Sequence, residues 1–237
     1  MPLQKISQAK IQTVLFDLDG TFADTAPDLA HALNQTLRAH QRATLQLEQI
    51  RPVVSHGGKA LIELGFGIND SHPEFEPLRK QLLDFYVQDI ARHTQLFNGI
   101  GKLLDDLQQR NMNWGIVTNK PGWLTEPLMN LLGLAHRACS IVCGDTLEQR
   151  KPHPAPLLHA ANQCGVTAAA CLYIGDAERD IVAGRDAGMR TMVANYGYIQ
   201  ANDEPLNWQA DAYIDHPDEI LEWILITNEE TMVNTQI

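Results

Sequence analysis

The stretch "VLFDLDGTFADT", residues 14–25, decides the fold. A run of apolar strand-formers ends in two aspartates one residue apart, followed by a glycine and a threonine. Side chains two apart on a strand point the same way, so Asp17 and Asp19 would crowd like charges if the strand continued. That crowding is unfavourable unless a cation or a proton offsets it. The offsetting groups must come from elsewhere in the chain.

Working outward, "IQTVLF" (11–16), "NWGIVT" (113–118), "CSIVC" (139–143), "ACLYI" (170–174) and "RTMVA" (190–194) read as strands buried on both faces. "DAYI" (211–214) adds a shorter sixth. Between them lie helical patterns at 100–110, 123–134, 155–165 and 180–188, with Gly165 and Gly188 at helix C-caps. Such alternation implies right-handed βαβ units, hence an α/β, Rossmann-like parallel sheet covered by helices. One interval breaks it. "APDLAHALNQTLRAH" starts a helix with Leu29, Ala32, Leu33, Thr36 and Leu37 at helical spacing, and "EPLRKQLLDFYVQDIARH" (76–93) repeats the pattern. About 65 residues without a strand are too many for a connection. The expected organisation is a core of residues 1–24 and 94–237 with a small all-helical cap, 25–93, inserted after the first strand. Residues 227–237 read as a polar, frayed tail.

Eighteen basic and 29 acidic residues give a net charge of −11, which argues against nucleic acid as a partner. It does not oppose a small anionic substrate, because a metal ion and a lysine or two reverse the field locally. "MPLQKISQAK" holds no apolar signal core, and no apolar run is long enough to span a bilayer, so the expectation is a cytoplasmic protein that neither crosses nor needs a membrane. Monomer and homodimer both fit. Cys139, Cys143, Cys164 and Cys171 form no metal-site spacing and read as small buried hydrophobes.

In an open parallel sheet, ligands sit beyond the carboxyl ends of the strands. Those ends deliver Asp17 and Asp19 after the first strand, Thr118, Asn119 and Lys120 after "NWGIVT", Lys151 in "QRKPHP", and Asp176 and Asp180 in "IGDAERD". Carboxylates, a hydroxyl and a lysine on one rim form a site for a cation and a phosphate. Asp176 and Asp180 stand i, i+4, on one face of a helix starting there. The plainer reading of that pair is helix capping. A phosphate monoester hydrolyses extremely slowly, and a carboxylate nucleophile splits the hydrolysis into two easier transfers.

"DLDGT", "VTN", "KP" and "GDAERD", in this order over nearly the whole chain, resemble the four motifs of the haloacid dehalogenase superfamily. The resemblance implies Asp17 as nucleophile and Asp19 as the acid that protonates the leaving oxygen and then activates water. It implies Thr118 and the Asn119 backbone N–H as phosphoryl donors and Lys151 as the balancing cation. It further implies Mg²⁺ held by Asp17, Asp176, the Asp19 carbonyl and, directly or not, Asp180. Dehalogenating members lack the second acid, so Asp19 points to a phosphate ester. Phe22 departs from the leucine usual after "DGT" and puts packing, not chemistry, in question.

The cap's most site-like stretch is "SHGGKAL" (55–61), where Ser55, His56, Gly57, Gly58 and Lys59 could reach an anion; a glycine turn between cap helices reads equally well. "VTNKP", "YGYI" (196–199) and "NWQADAYIDHPDEI" (207–220) resemble the branch of phosphoglycolate and N-acetylmuramic acid 6-phosphate phosphatases, the latter more closely. That implies a hydrolase of a small phosphate ester in peptidoglycan recycling. A phosphosugar mutase of the same scaffold, a receiver domain and a non-catalytic binding protein are the alternatives; the last two fit the chain's length and intact acids poorly.

Overall fold

A computed structural model describes residues 9–234, the last three by backbone alone. In chain order the first elements are β1 (Thr13–Phe16), β2 (Ala23–Asp24), α1 (Ala26–Ala39), α2 (Leu47–Ile50), α3 (Gly57–Phe66), α4 (Phe75–Gln88), β3 (Gln95–Leu96) and α5 (Ile100–Gln109). There follow β4 (Asn113–Val117), α6 (Gly122–Leu131), β5 (Ile141–Val142), α7 (Ala155–Gln163), β6 (Cys171–Gly175), α8 (Glu178–Asp186), β7 (Arg190–Ala194), β8 (Ala212–Ile214) and α9 (Asp218–Asn234).

Six strands form one parallel sheet in the order β5-β4-β1-β6-β7-β8, the α/β architecture expected. β1 is buried along its whole length because helices cover both faces. Alternation sends Val14 and Phe16 into one apolar cluster and Leu15 into another, the latter with Val117, Tyr173 and Leu157 of α7. The register sets Phe16 beside Ile116 on one side and Ile174 on the other. The loops after β1, β4 and β6 therefore leave the sheet side by side, at the point where the strand order turns. Phe22 is fully buried, its ring stacked 5.4 Å from Trp114 and tilted 5.6 Å from Phe16, so the core accommodates the bulkier side chain.

Between β2 and β3 the backbone is helical, including a 3-10 turn at Arg51–His56, and holds no strand. The chain leaves through β2 and returns through β3, and the two pair antiparallel. The buried Asp28 carboxylate closes this neck by accepting from the His93 and Thr94 backbone N–H groups and from the Thr94 hydroxyl, at 2.8–3.0 Å.

Two sequence expectations need correction. The tail expected to fray from residue 227 is helical to Asn234; residues 235–237 lie outside the described residues. Ile220 and Ile224 are fully buried one turn apart, and Asn228 exchanges hydrogen bonds with the Ile11 backbone, accepting at 2.7 Å and donating at 3.2 Å. A polar stretch thus docks because its polar groups find partners. Nor are all four cysteines plain hydrophobes. Cys139 and Cys164, half-buried, form a disulfide with Cα atoms 5.2 Å apart, while Cys143 and Cys171 are free and buried. Pairing across 25 residues depends on α7 folding back beside β5, which spacing does not reveal. Among the described residues no helix is long and apolar enough to cross a membrane.

Candidate active site

The rim built from the loops after β1, β4 and β6 opens into a cavity of about 1020 Å³, roofed by α4 and the loop before α3. Asp17 is buried where β1 ends, its N–H held by the Ile174 carbonyl at 2.8 Å. Lys151 Nζ sits 2.9 Å from Asp17 Oδ1 and 2.8 Å from Asp180 Oδ1, and donates to the Val117 carbonyl (2.9 Å) and the Tyr173 hydroxyl (2.7 Å). Burial alone would raise the Asp17 carboxyl, but the charges of Lys151 and Arg179 outweigh it and hold the group below the usual carboxylate range. Asp17 therefore stays ionised. Tyr173 is pushed up by burial and by Asp180 and Asp17, which keeps it a neutral donor.

Asp17, Asp176 and Asp180 converge, each offering an oxygen within 4.8 Å of the others, all three buried. Asp176 follows β6 and abuts the β1 loop: a Cβ on Gly20, whose φ is +89°, would overlap its carboxylate, so only glycine fits there. Asp180 lies in the first turn of α8 and accepts from the Ala177 N–H at 3.1 Å, so the capping reading is also correct. Burial, then Asp17 and Asp180, push the Asp176 carboxyl up to about 7. Burial and Asp17 raise Asp180 despite Lys151. Asp17 Oδ1 has no hydrogen bond despite its ion pair. Three buried carboxylates, one with an oxygen outside any hydrogen bond, are the donor set that a hard divalent cation fills.

Asp19 turns its carboxylate away from this cluster. Its Oδ1 accepts from the Thr25 hydroxyl (2.6 Å) and pairs with Lys120 Nζ (2.9 Å). Lys120, to which the sequence gives no catalytic part, is buried, donates to the Tyr86 hydroxyl of α4 at 3.1 Å and lies 4.6 Å from that ring's centre. Burial would neutralise it, but Asp19 and Tyr86 keep it charged. Thr118 is buried, its N–H on the Val142 carbonyl (2.9 Å) and its oxygen accepting from the Lys120 N–H (3.2 Å). Asn119 clamps the Lys151 backbone at both ends, accepting at 3.0 Å and donating at 2.9 Å.

The loop 55–59 divides. Ser55 donates to Asp176 Oδ2 at 2.7 Å, with the Asp19 carbonyl at 3.2 Å, so it touches the acid cluster. Arg179 Nη2 donates to the Ser55 carbonyl at 2.7 Å, and its Nη1 lies 3.4 Å from His56 Nδ1. His56 is lowered by burial and by that guanidinium. Gly57, at φ +74°, starts α3. Lys59 lines the cavity, but its ammonium is paired with Asp70 at 2.5 Å. Arg179, Lys120, Tyr86 and Tyr198 are the site residues that sequence reasoning passes over. Tyr198 donates its N–H to Asp176 (2.8 Å) and its hydroxyl to Asp24 (2.7 Å). Their signals, Arg179 inside "GDAERD" and Lys120 inside "VTNKP", lie within stretches already singled out.

A buried carboxylate at the end of β1, acids after β6 and a buried lysine between them make up the site of a hydrolase. The chain belongs to the haloacid dehalogenase-like hydrolase family, whose model matches residues 14–194. It is 42% identical over 218 residues to the N-acetylmuramic acid 6-phosphate phosphatase of Pseudomonas aeruginosa, covering 92% of this chain and 96% of that protein. It is 43% identical over 211 residues to the phosphoglycolate phosphatase of Xanthomonas campestris pv. campestris, covering 89% and 95%. Among solved structures, a HAD-superfamily hydrolase of Geobacter sulfurreducens superposes with a TM-score of 0.72 at 19% identity, over 90% of this chain and 96% of that one. A hydrolase of the same family from Streptococcus pneumoniae gives 0.76 at 21%, over 90% and 98%, which speaks for the fold alone.

Proposed function

We propose that the protein is a Mg²⁺-dependent phosphatase that hydrolyses N-acetylmuramic acid 6-phosphate through an aspartyl-phosphate on Asp17. One observation carries the reaction class: the ionised Asp17 beside Lys151, facing Asp176 and Asp180 at the sheet's carboxyl edge. Asp17 attacks phosphorus, and Asp19, oriented by Thr25 and Lys120, gives its proton to the departing oxygen and then takes one from the attacking water. Thr118 and the Asn119 backbone N–H hydrogen-bond the phosphoryl oxygens, and Lys151 balances its charge. Asp17, Asp176, Asp180 and the Asp19 carbonyl would hold Mg²⁺, which when bound neutralises charge on the transferring group. Residues 25–93 act as a cap that excludes water and selects the leaving group.

The two relatives bear different substrates in their names. The cavity, at about 1020 Å³, has room for the sugar phosphate. The test is phosphate release measured side by side on N-acetylmuramic acid 6-phosphate, phosphoglycolate and hexose phosphates, with Mg²⁺ and with a chelator. The expected result is Mg²⁺-dependent release with the highest kcat/KM on the muramate ester. A higher value on phosphoglycolate would reassign the substrate; no release from any ester would reject the phosphatase.

A further inference from the structure

The cavity's cations fall into two groups. Lys59, Arg79 and Lys80 on the cap side are paired with Asp70 (2.5 Å), Glu76 (2.7 Å) and Asp84 (2.6 Å). Lys120 and Lys151 answer the site's own acids, and Arg179, also in the lining, donates to the Ser55 carbonyl at 2.7 Å. Arg150 lines the same cavity, is exposed, and has no carboxylate partner among the described residues. A second feature lines the same cavity. Of the exposed large apolar side chains among the described residues, Trp123, half exposed in the first turn of α6, alone lines the cavity. The indole and the Arg150 guanidinium, free of any carboxylate among the described residues, both line the cavity and are open to an occupant.

Both residues sit on fixed backbone beside the reacting groups. Arg150 directly precedes Lys151, whose backbone Asn119 clamps at 2.9 and 3.0 Å. Trp123 follows Gly122, whose N–H donates to Asp145 at 2.7 Å, and Thr125 ties the same turn to the Lys120 carbonyl at 3.2 Å. Neither needs the cap to be in place.

We propose that Trp123 and Arg150 form the leaving-group subsite, the indole stacking on the pyranose ring of an acidic amino-sugar phosphate and the guanidinium pairing with its carboxylate. The negative face of an aromatic ring attracts the polarised C–H bonds of a sugar. A guanidinium matches a carboxylate with two parallel hydrogen bonds. Substrate choice is then made partly by the sheet-bearing core, which selects for ring and acid together. This rests on the sugar-phosphate reading above, which the experiment tests separately.

The experiment compares wild type, Trp123→Ala and Arg150→Gln on three esters. N-acetylmuramic acid 6-phosphate has ring and acid, N-acetylglucosamine 6-phosphate has the ring without the lactyl acid, and phosphoglycolate has an acid without the ring. Trp123→Ala should raise KM about 3- to 10-fold for both sugar esters and lower their kcat/KM relative to phosphoglycolate by the same factor. Arg150→Gln should raise KM about 10-fold for the muramate ester and leave the ratio between wild type and variant near one for the glucosamine ester. An equal loss on all three, or an unchanged KM for the muramate ester in both variants, would overturn the subsite while leaving the phosphatase intact. Wild type turning over phosphoglycolate and neither sugar ester would overturn the substrate reading and the subsite with it.

Discussion

Asp176 bears the site's electrostatic tension. Burial, then the charges of Asp17 and Asp180, push its carboxyl up to about 7, far above the ordinary value of about 3.9. The folded chain therefore holds a proton that the unfolded chain has lost between about pH 4 and 7. Stability from that proton is present at low pH and is lost as pH rises through about 7. A divalent cation takes the proton's place, so Mg²⁺ should raise Tm more at about pH 8 than at about pH 5.5. Thermal unfolding with chelator and with excess Mg²⁺ across that range checks this; a Mg²⁺ shift independent of pH would contradict it. At this scale the sequence shows the acids and Lys151, because each stands at a strand end inside a recognisable motif. It does not show Lys120 as the partner of Asp19, because that pairing follows from the β4 loop turning back over the β1 loop, 101 residues apart in the chain. The opening crowding is resolved differently from its simplest form: Asp17 faces the acids and Lys151, while Asp19 faces Lys120.

Among the elements, the central strands β1 and β6 are legible because they are buried throughout, which writes them as continuous apolar runs. The neck strands β2 and β3 are only two residues each and carry no periodic signal. α9 is hidden for another reason: its last turns are polar in composition yet buried through Asn228 and Thr231. Asn228→Ala should strip the Ile11 N–H of its acceptor and cost about 1–3 kcal/mol, read from urea unfolding. Wild-type stability in that variant would mean the helix end docks without those bonds. The Cys139–Cys164 bridge is invisible to spacing because it joins the approach to β5 with the end of α7.

For the whole molecule, the helical insert is fastened to the sheet by polar links that converge on the acids. Ser55 bonds Asp176, Arg179 bonds the Ser55 carbonyl, Lys120 reaches Tyr86, and Arg51 forks onto Asp24 at 2.9 Å beside Tyr198. Helical spacing marks the insert as helical and separate; its fastening depends in part on pairs more than 100 residues apart, Ser55 with Asp176 and Arg179 with Ser55. Arg179→Gln should speed hydrogen exchange through residues 51–66 and leave β1, β4 and β6 protected. Faster exchange everywhere would mean that Arg179 stabilises the fold as a whole and does not fasten the loop.

The most direct test of the central claim is mass spectrometry of protein quenched in acid during turnover of a phosphate ester with Mg²⁺. One phosphoryl group should appear on the peptide containing Asp17 and be absent from Asp17→Asn, whose phosphate release should fall by about 10⁴-fold or more while its fold persists. Steady phosphate release with no phosphoryl on Asp17, or undiminished turnover by Asp17→Asn, would contradict the account.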